Sequence, residues 1–248
     1  MTWLRLVRGE IRKLTTTKLP WGFLAVLVLI AGLDAAVVAF GTDMDGSKTF
    51  VSTAADQASL MAFAFNAMIG TALFGAIAVA REYGHHTVVP TFLTAPKRSR
   101  AVLAQLTAVL LGGATLALVG QALVITGVAL ALPSTEYGFL VSAVNVTQLL
   151  AASTLAGMIG AVLGAGLGAL IRNLGGAVTV VILALFVIPP LAVQLVSDAA
   201  SWIPPTLFAV ISGVSTEVSL WAALTAVAAW ALVPAAAGLL AVQRRDVV

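Results

Sequence analysis

The chain has 248 residues, of which 60% are hydrophobic and only 9% carry a charge. An ordinary soluble domain is about a quarter charged, so this composition leaves too few polar side chains for a water-facing surface and excludes a soluble enzyme. The formal net charge of +3 would suggest nucleic acid as the partner of a soluble protein, but here the positions of the charges indicate orientation, and we expect no nucleic-acid partner.

Residues 1–19 predict an amphipathic helix that lies on the membrane surface. Apolar side chains recur at the three-and-four spacing that places them on one helical face, and basic side chains fill much of the rest. The long apolar run after Pro20 has no small-residue cleavage site followed by a polar domain, so it predicts a true span rather than a signal peptide. The apolar positions are Leu4, Val7, Ile11 and Leu14, and the basic ones are Arg5, Arg8, Arg12, Lys13 and Lys18.

Six apolar stretches predict an all-α membrane protein with one transmembrane domain over residues 1–248. Each has about the 20 apolar residues that a crossing helix needs. The third is overlong, since its roughly 32 residues would measure about 48 Å against about 30 Å of hydrocarbon, and we expect it to tilt or to project into the cytoplasm. The predicted spans are about 20–40, 57–80, 101–132, 146–170, 175–197 and 219–242.

The basic residues predict the orientation of these spans. Of the thirteen Lys and Arg residues, all except Lys48 fall on one side of the six-span topology. The positive-inside rule therefore predicts that both termini are cytoplasmic.

Residues 198–218, between the last two spans, are too apolar for a freely solvated loop and too short for two further crossings. Two interpretations stay open: a hairpin that re-enters the outer leaflet, or an extracellular loop packed on the protein's own surface. The apolar members are Trp202, Pro204, Pro205, Leu207, Phe208, Val210 and Ile211.

The fourth span predicts a tight contact between two helices. Gly160, Gly164 and Gly168 repeat at four-residue spacing, and small residues at this period let two helix backbones approach closely in lipid. The pattern does not decide whether the partner helix belongs to the same chain.

Polar residues inside the spans are candidates for a translocation pathway. Asp34 lies within the first span, where a carboxylate is costly and is a functional candidate by default. The favoured alternative is that it reaches headgroup water at the outer interface, because no Lys, Arg or His occurs at matching depth. Asn66 is one of several amides that either line a pathway or tie helices together, the second being commoner.

The segment after the second span predicts a docking loop. Glu82, His85 and His86 have part of a di-iron spacing, but the chain holds no second copy of that motif, so we expect no metal site. The mixed charge around a helix-compatible middle fits the docking of a soluble partner; the alternative is that a positive loop here only enforces the topology. Elsewhere, Pro189 and Pro190 predict a kink in the fifth span, and no phosphate-loop motif for ATP is present.

Three basic segments on the predicted cytoplasmic side carry a family resemblance. Together with the six spans, they make the chain resemble, over its whole length, the membrane subunit (permease) of type-2 ABC transporters, the ABC-2 exporters. The segments are Arg8-Gly9-Glu10-Ile11-Arg12-Lys13-Leu14, then Arg81-Glu82-Tyr83 with Thr87 and Ala95-Pro96-Lys97-Arg98-Ser99-Arg100, and finally Arg244-Arg245-Asp246-Val247.

The resemblance implies a multi-pass permease in the bacterial cytoplasmic membrane, without an ATPase site or cofactor of its own. A second copy or a sister permease would complete a dimer, and two separate ABC ATPase subunits would hold ATP and Mg. It also implies a re-entrant hairpin around Trp202 to Ile211. The implied coupling element comprises Arg81, Glu82, Tyr83, Gly84, Thr87, Pro96, Arg98 and Arg100, and the implied surface helix contributes Arg8, Glu10, Arg12 and Lys13.

Few fixed charges along the spans favour lipophilic cargo, such as a drug, a lipid or a hydrophobic peptide, and hence multidrug or antibiotic efflux. The export direction follows from the resemblance alone. Two other classes stay open: a stand-alone secondary transporter or channel that uses Asp34, and a non-transporting immunity-type membrane protein.

Overall fold

The computed structural model describes residues 3–44, 46–84 and 98–244, and these residues form ten α-helices and no β-strand. Six helical stretches in this part of the chain are long and apolar enough to cross a membrane. The prediction of an all-α chain with six such helices is therefore confirmed, and the architecture is consistent with a multi-pass membrane protein.

In chain order, the helices are α1 (Trp3–Thr15), α2 (Leu19–Phe40), α3 (Ala54–Leu60), α4 (Ala64–Gly84), α5 (Arg98–Ala131), α6 (Ala143–Ile171), α7 (Leu174–Ile182), α8 (Ile188–Leu195), α9 (Pro204–Ile211) and α10 (Leu220–Arg244).

The second predicted span is two helices rather than one. Thr53 caps α3, because its hydroxyl accepts from the Asp56 backbone N–H while the Asp56 carboxylate accepts from the Thr53 N–H, both at 3.1 Å. The α-helix then stops at Leu60 and resumes at Ala64. Hydropathy alone missed this interruption because the residues across it are as apolar as their neighbours.

The fifth predicted span changes helix type before its two prolines. Residues Leu183–Val187 form a π-helical turn, in which the Ile188 N–H donates to the Leu183 carbonyl. Pro189 and Pro190 then fall in the first turn of α8, where a missing backbone N–H leaves no intrahelical hydrogen bond unmade.

Helix α6 is the central element of the bundle. It packs against α4, α10 and α5, while α2 and α1 pack mainly against α5. α5 is 34 residues long, about 51 Å at the usual rise per residue. This arrangement leaves much of α2 exposed and most of α6 and α4 buried.

The apolar segment between the last two spans is covered by the protein itself. Its helix α9 packs against α10, α4 and α6, and Leu207 and Phe208 are completely or almost completely buried. Pro204, Val210 and Ile211 are buried as well, whereas Trp202 is half-exposed. Most of the apolar residues that made this loop unusual therefore belong to the core of the bundle.

Candidate functional site

One of the predicted coupling residues at the end of α4, Glu82, contacts the basic helix α1. The Lys13 ammonium is 2.7 Å from the Glu10 Oε1 atom and 3.5 Å from the Glu82 Oε1 atom. Lys13 thus bridges a carboxylate on its own helix and one on α4. We refer to Glu10, Lys13 and Glu82 as the ionic clamp.

The ionic clamp is poorly solvated. The Glu10 and Glu82 side chains are only 10% and 12% exposed, and Lys13 is 39% exposed. The three residues line a cavity of about 10 Å³ together with Gln105 of α5, which is about the space of one water molecule. Exposed ion pairs contribute little to stability, but removing Lys13 would strip two largely buried carboxylates of a nearby cation, which is costly.

Arg172, at the same end of the bundle, contacts the ends of two further helices, α4 and α10. It follows α6 in the left-handed backbone region, with φ of 57°. Its guanidinium carbon lies 5.2 Å from the centre of the Tyr83 ring, and its Nη2 atom donates to the Ala241 carbonyl at 3.2 Å. In the sequence, Arg172 contributed only to the predicted orientation of the spans. Its position as the single cation between two apolar spans could have indicated that it contacts other helices.

The other members of the predicted coupling and surface sets are spread around this end. Arg81 lies beside the turn between α1 and α2, with its Nη2 atom 3.5 Å from the Thr17 hydroxyl. Gly84 ends α4 and is exposed, and Arg98 begins α5. Thr87, Pro96 and the two histidines lie outside the described residues. Arg8, Arg12 and Arg100 are exposed and face away from the core.

The three glycines of the fourth span pack against α4 of the same chain. A Cβ atom on Gly160 would collide with the Met68 carbonyl oxygen, and one on Gly164 with the Ala72 carbonyl oxygen. On Gly168 it would lie 2.9 Å from the Ala76 carbonyl oxygen. The stripe thus allows backbone contact between α6 and the helix that carries Glu82.

A second candidate site is an apolar cavity of about 300 Å³ among α2, α4, α5 and the π-helical turn. Phe63, Ala67 and Ala117 are buried and form its floor, whereas Val26 and Phe186 are half-exposed. Asn66 also lines the cavity and is exposed. We call this the lateral cavity.

The two predicted pathway residues occupy different positions relative to the lateral cavity. Asn66 lines it, whereas Asp34 follows the lining residue Ile30 by one turn on the same side of α2. Among the described residues, neither the Asn66 nor the Asp34 side chain makes a hydrogen bond or an ion pair. Both are therefore available to a ligand or to water.

Sequence reasoning did not find the lateral cavity. Its walls come from segments far apart in the chain, and residues such as Phe23 and Phe186 look like ordinary span residues in the sequence. Residues 3–44, 46–84 and 98–244 hold no group of three His, Cys, Asp or Glu side chains that could bind a metal ion.

The sequence matches no protein-family model and no curated protein. What the chain does must therefore be argued from the ionic clamp, the glycine contact and the lateral cavity.

Proposed function

We propose that this chain is the membrane-spanning permease subunit of an ATP-driven ABC-2 exporter that works with separate ATPase subunits. One observation carries the proposal. The two segments that the family resemblance assigns to ATPase contact, the basic helix α1 and the end of α4, are joined by the ionic clamp across a sequence separation of 69 residues. Displacement of either α1 or the end of α4 by an ATPase subunit would therefore also displace the other.

The packing supports a mechanical role for α4. The end of α4 carries Glu82 and Tyr83, and the body of α4 is in backbone contact with α6 through Gly160 and Gly164. Close-packed helices move as units rather than deform continuously. Displacement of the docking segments would consequently move α4 and α6 together and change access to the bundle from either side.

ATP supplies the energy in this proposal, and the permease performs no bond chemistry. A ligand shifts a conformational equilibrium only through different affinities for the two states. The partner ATPases would hold ATP and Mg and dimerise when ATP binds, which favours one arrangement of the permease dimer. The cargo would be lipophilic and would leave the cell across the cytoplasmic membrane, with both permease termini on the ATPase side.

The experiment is co-purification of the tagged full chain from its native host in mild detergent. We expect a stoichiometric soluble subunit with a phosphate-loop motif, lost when residues 81–100 are replaced. The Glu82→Ala variant should recover about tenfold less of this subunit, equivalent to about 1.4 kcal/mol of docking free energy.

Glu217→Ala is the matched control, because Glu217 is also a single carboxylate but is exposed and lies before α10, distant from the clamp in the chain order. Wild-type recovery in Glu82→Ala would show that Glu82 is not the coupling residue. A chain that purifies alone and transports without nucleotide would exclude the exporter.

The second candidate function is a stand-alone ion-coupled carrier, favoured by the unpaired carboxylate of Asp34 among the described residues. Asp34→Asn separates the two. A proton-coupled carrier would lose transport, whereas the exporter would keep ATP-linked transport.

An immunity-type protein would instead protect its host without ATP turnover.

A further inference from the structure

The lateral cavity has the form of a small-molecule site within one chain. Its volume of about 300 Å³ is at the lower end of the range for ligand sites. Gly70 lines it, and a Cβ atom added to Gly70 would meet nothing within 4 Å. An added Cβ atom at this position would therefore displace no neighbour.

The lining restricts the charge of an occupant. None of the residues that line the cavity is ionisable. A charged ligand would lose its hydration without gaining a counter-charge from this lining, which is strongly unfavourable in an apolar environment. The cavity therefore suits an uncharged molecule, and the rings of Phe23, Phe63 and Phe186 provide apolar and aromatic contacts.

Asn66 provides the one available polar contact among the lining side chains. The hydroxyl in the lining, that of Thr71, is buried and already bonds to the Ala67 carbonyl at 2.7 Å. Asn66 is exposed, and its amide has no partner among the described residues. In a helix long enough to cross a membrane, an amide facing hydrocarbon without a partner is costly, and a polar group on a ligand would remove that cost.

The open side of the cavity indicates the route of entry. Val26 of α2 and Phe186 of the π-helical turn are half-exposed at its edge, while Phe63 and Ala117 close its floor. A molecule dissolved in the bilayer would reach Asn66 sideways, without passing through water.

We propose that the lateral cavity binds an uncharged lipophilic molecule that enters from the bilayer and is held by one hydrogen bond to the Asn66 amide. The description of this molecule as cargo rests on the proposed exporter function. The binding itself does not, because it needs neither ATP nor a partner subunit.

The test uses benzophenone, an uncharged lipophile with a single carbonyl acceptor that inserts into nearby C–H bonds under ultraviolet light. The full chain, in nanodiscs of palmitoyl-oleoyl phosphatidylcholine, is irradiated with increasing benzophenone, and adducts are mapped by mass spectrometry. We expect saturable labelling of the segments around Val26 and Asn66.

Three variants and one competitor define the site. Gly70→Phe should fill the cavity and reduce the saturable labelling at least about tenfold, while Gly32→Phe, at an exposed α2 glycine with nothing within 4 Å, should retain it. Asn66→Leu should weaken benzophenone binding about fivefold, the contribution of one hydrogen bond. Diphenylmethane, which has the same two rings but no carbonyl, should compete equally well on wild type and Asn66→Leu.

Several outcomes would overturn the proposal. Labelling that rises linearly without saturation would show that bulk lipid fills the cavity, and equal labelling of Gly70→Phe and wild type would place the probe elsewhere. The chain has no cysteine, so a disulfide-linked dimer of Val26→Cys would show that a second copy covers the opening. None of these results depends on finding an ATPase partner, so this inference and the proposed function fail separately.

Discussion

Gln121 shows how a single buried side chain holds the interrupted second span in place. It is completely buried, its Nε2 atom donates to the Met61 carbonyl at 2.9 Å, and its Oε1 atom accepts from the Ser153 hydroxyl at 2.5 Å. Met61 directly follows the last residue of α3, so the amide satisfies a carbonyl that the helix leaves free. One residue thereby links the interruption to α5 and α6.

We expect Gln121→Leu to destabilise the chain by about 1–3 kcal/mol, because it leaves the Met61 carbonyl and the Ser153 hydroxyl buried without this partner. Thermal unfolding in detergent measures the change. Gln194→Leu is the control, since Gln194 is exposed and has no hydrogen bond among the described residues. Equal melting temperatures for the two variants would show that the Gln121 bonds do not hold the interruption.

At the scale of helices, the contact between α4 and α6 depends on the absence of side chains. Backbone carbonyls of α4 occupy the space that a Cβ atom on Gly160 or Gly164 would need. A similar contact lies on another side of α6, where a Cβ atom on Gly166 would lie 2.5 Å from the Pro234 carbonyl oxygen of α10. Helix α6 is therefore central because it presents small residues in more than one direction.

Gly164→Ala should separate α4 from α6 and destabilise the chain by about 1–3 kcal/mol, the usual cost of overpacking. The matched control is Gly32→Ala in α2, where an added Cβ atom meets nothing within 4 Å. There the better helix propensity of alanine should leave stability unchanged or raise it by up to about 1 kcal/mol.

Thermal unfolding of both alanine variants in the same detergent checks this pair. If Gly164→Ala melts at or above the wild-type temperature, the close approach of α4 and α6 is not present in the folded protein.

At the scale of the whole molecule, the two ends of the bundle differ in their charged residues. Lys13, Glu82, Tyr83 and Arg172 meet at one end. Near the opposite end of α2, Lys48 donates to the Val38 and Ala39 carbonyls at 3.1 and 2.6 Å and so supports the last turn of that helix. This cation therefore has a structural role at the end of α2.

This asymmetry predicts which residues face the outside of the cell. The chain has no cysteine, so Met44→Cys and Gly9→Cys each introduce a unique thiol at an exposed position. A membrane-impermeant maleimide should label Met44→Cys in intact cells, and Gly9→Cys only after the membrane is permeabilised. The reverse pattern would invert the orientation and remove α1 from the ATPase side.

The residues that establish the fold class act locally, which is why sequence predicts them. Apolar runs of sufficient length predict helices that cross a bilayer, since a helix satisfies its backbone groups within one segment. The repeat of Gly160, Gly164 and Gly168 likewise predicts a small-residue face, because residues four apart share one side of a helix. The partner helix of that face is not encoded in the repeat, since its small residues lie in a different segment.

Tertiary structure decided which distant residues meet. Lys13 and Glu82 are 69 residues apart and Gln121 and Met61 are 60 apart, and the lateral cavity takes its walls from four separate segments. Periodicity and hydropathy describe which side chains lie on each face of a single helix. Whether two helices form a contact or leave a cavity between them depends on how the shapes of their faces fit together. The amino-acid sequence by itself thus determined the helical class and the number of helices long and apolar enough to cross a membrane. Only the packing of these helices decided where an ion pair forms and where a cavity remains.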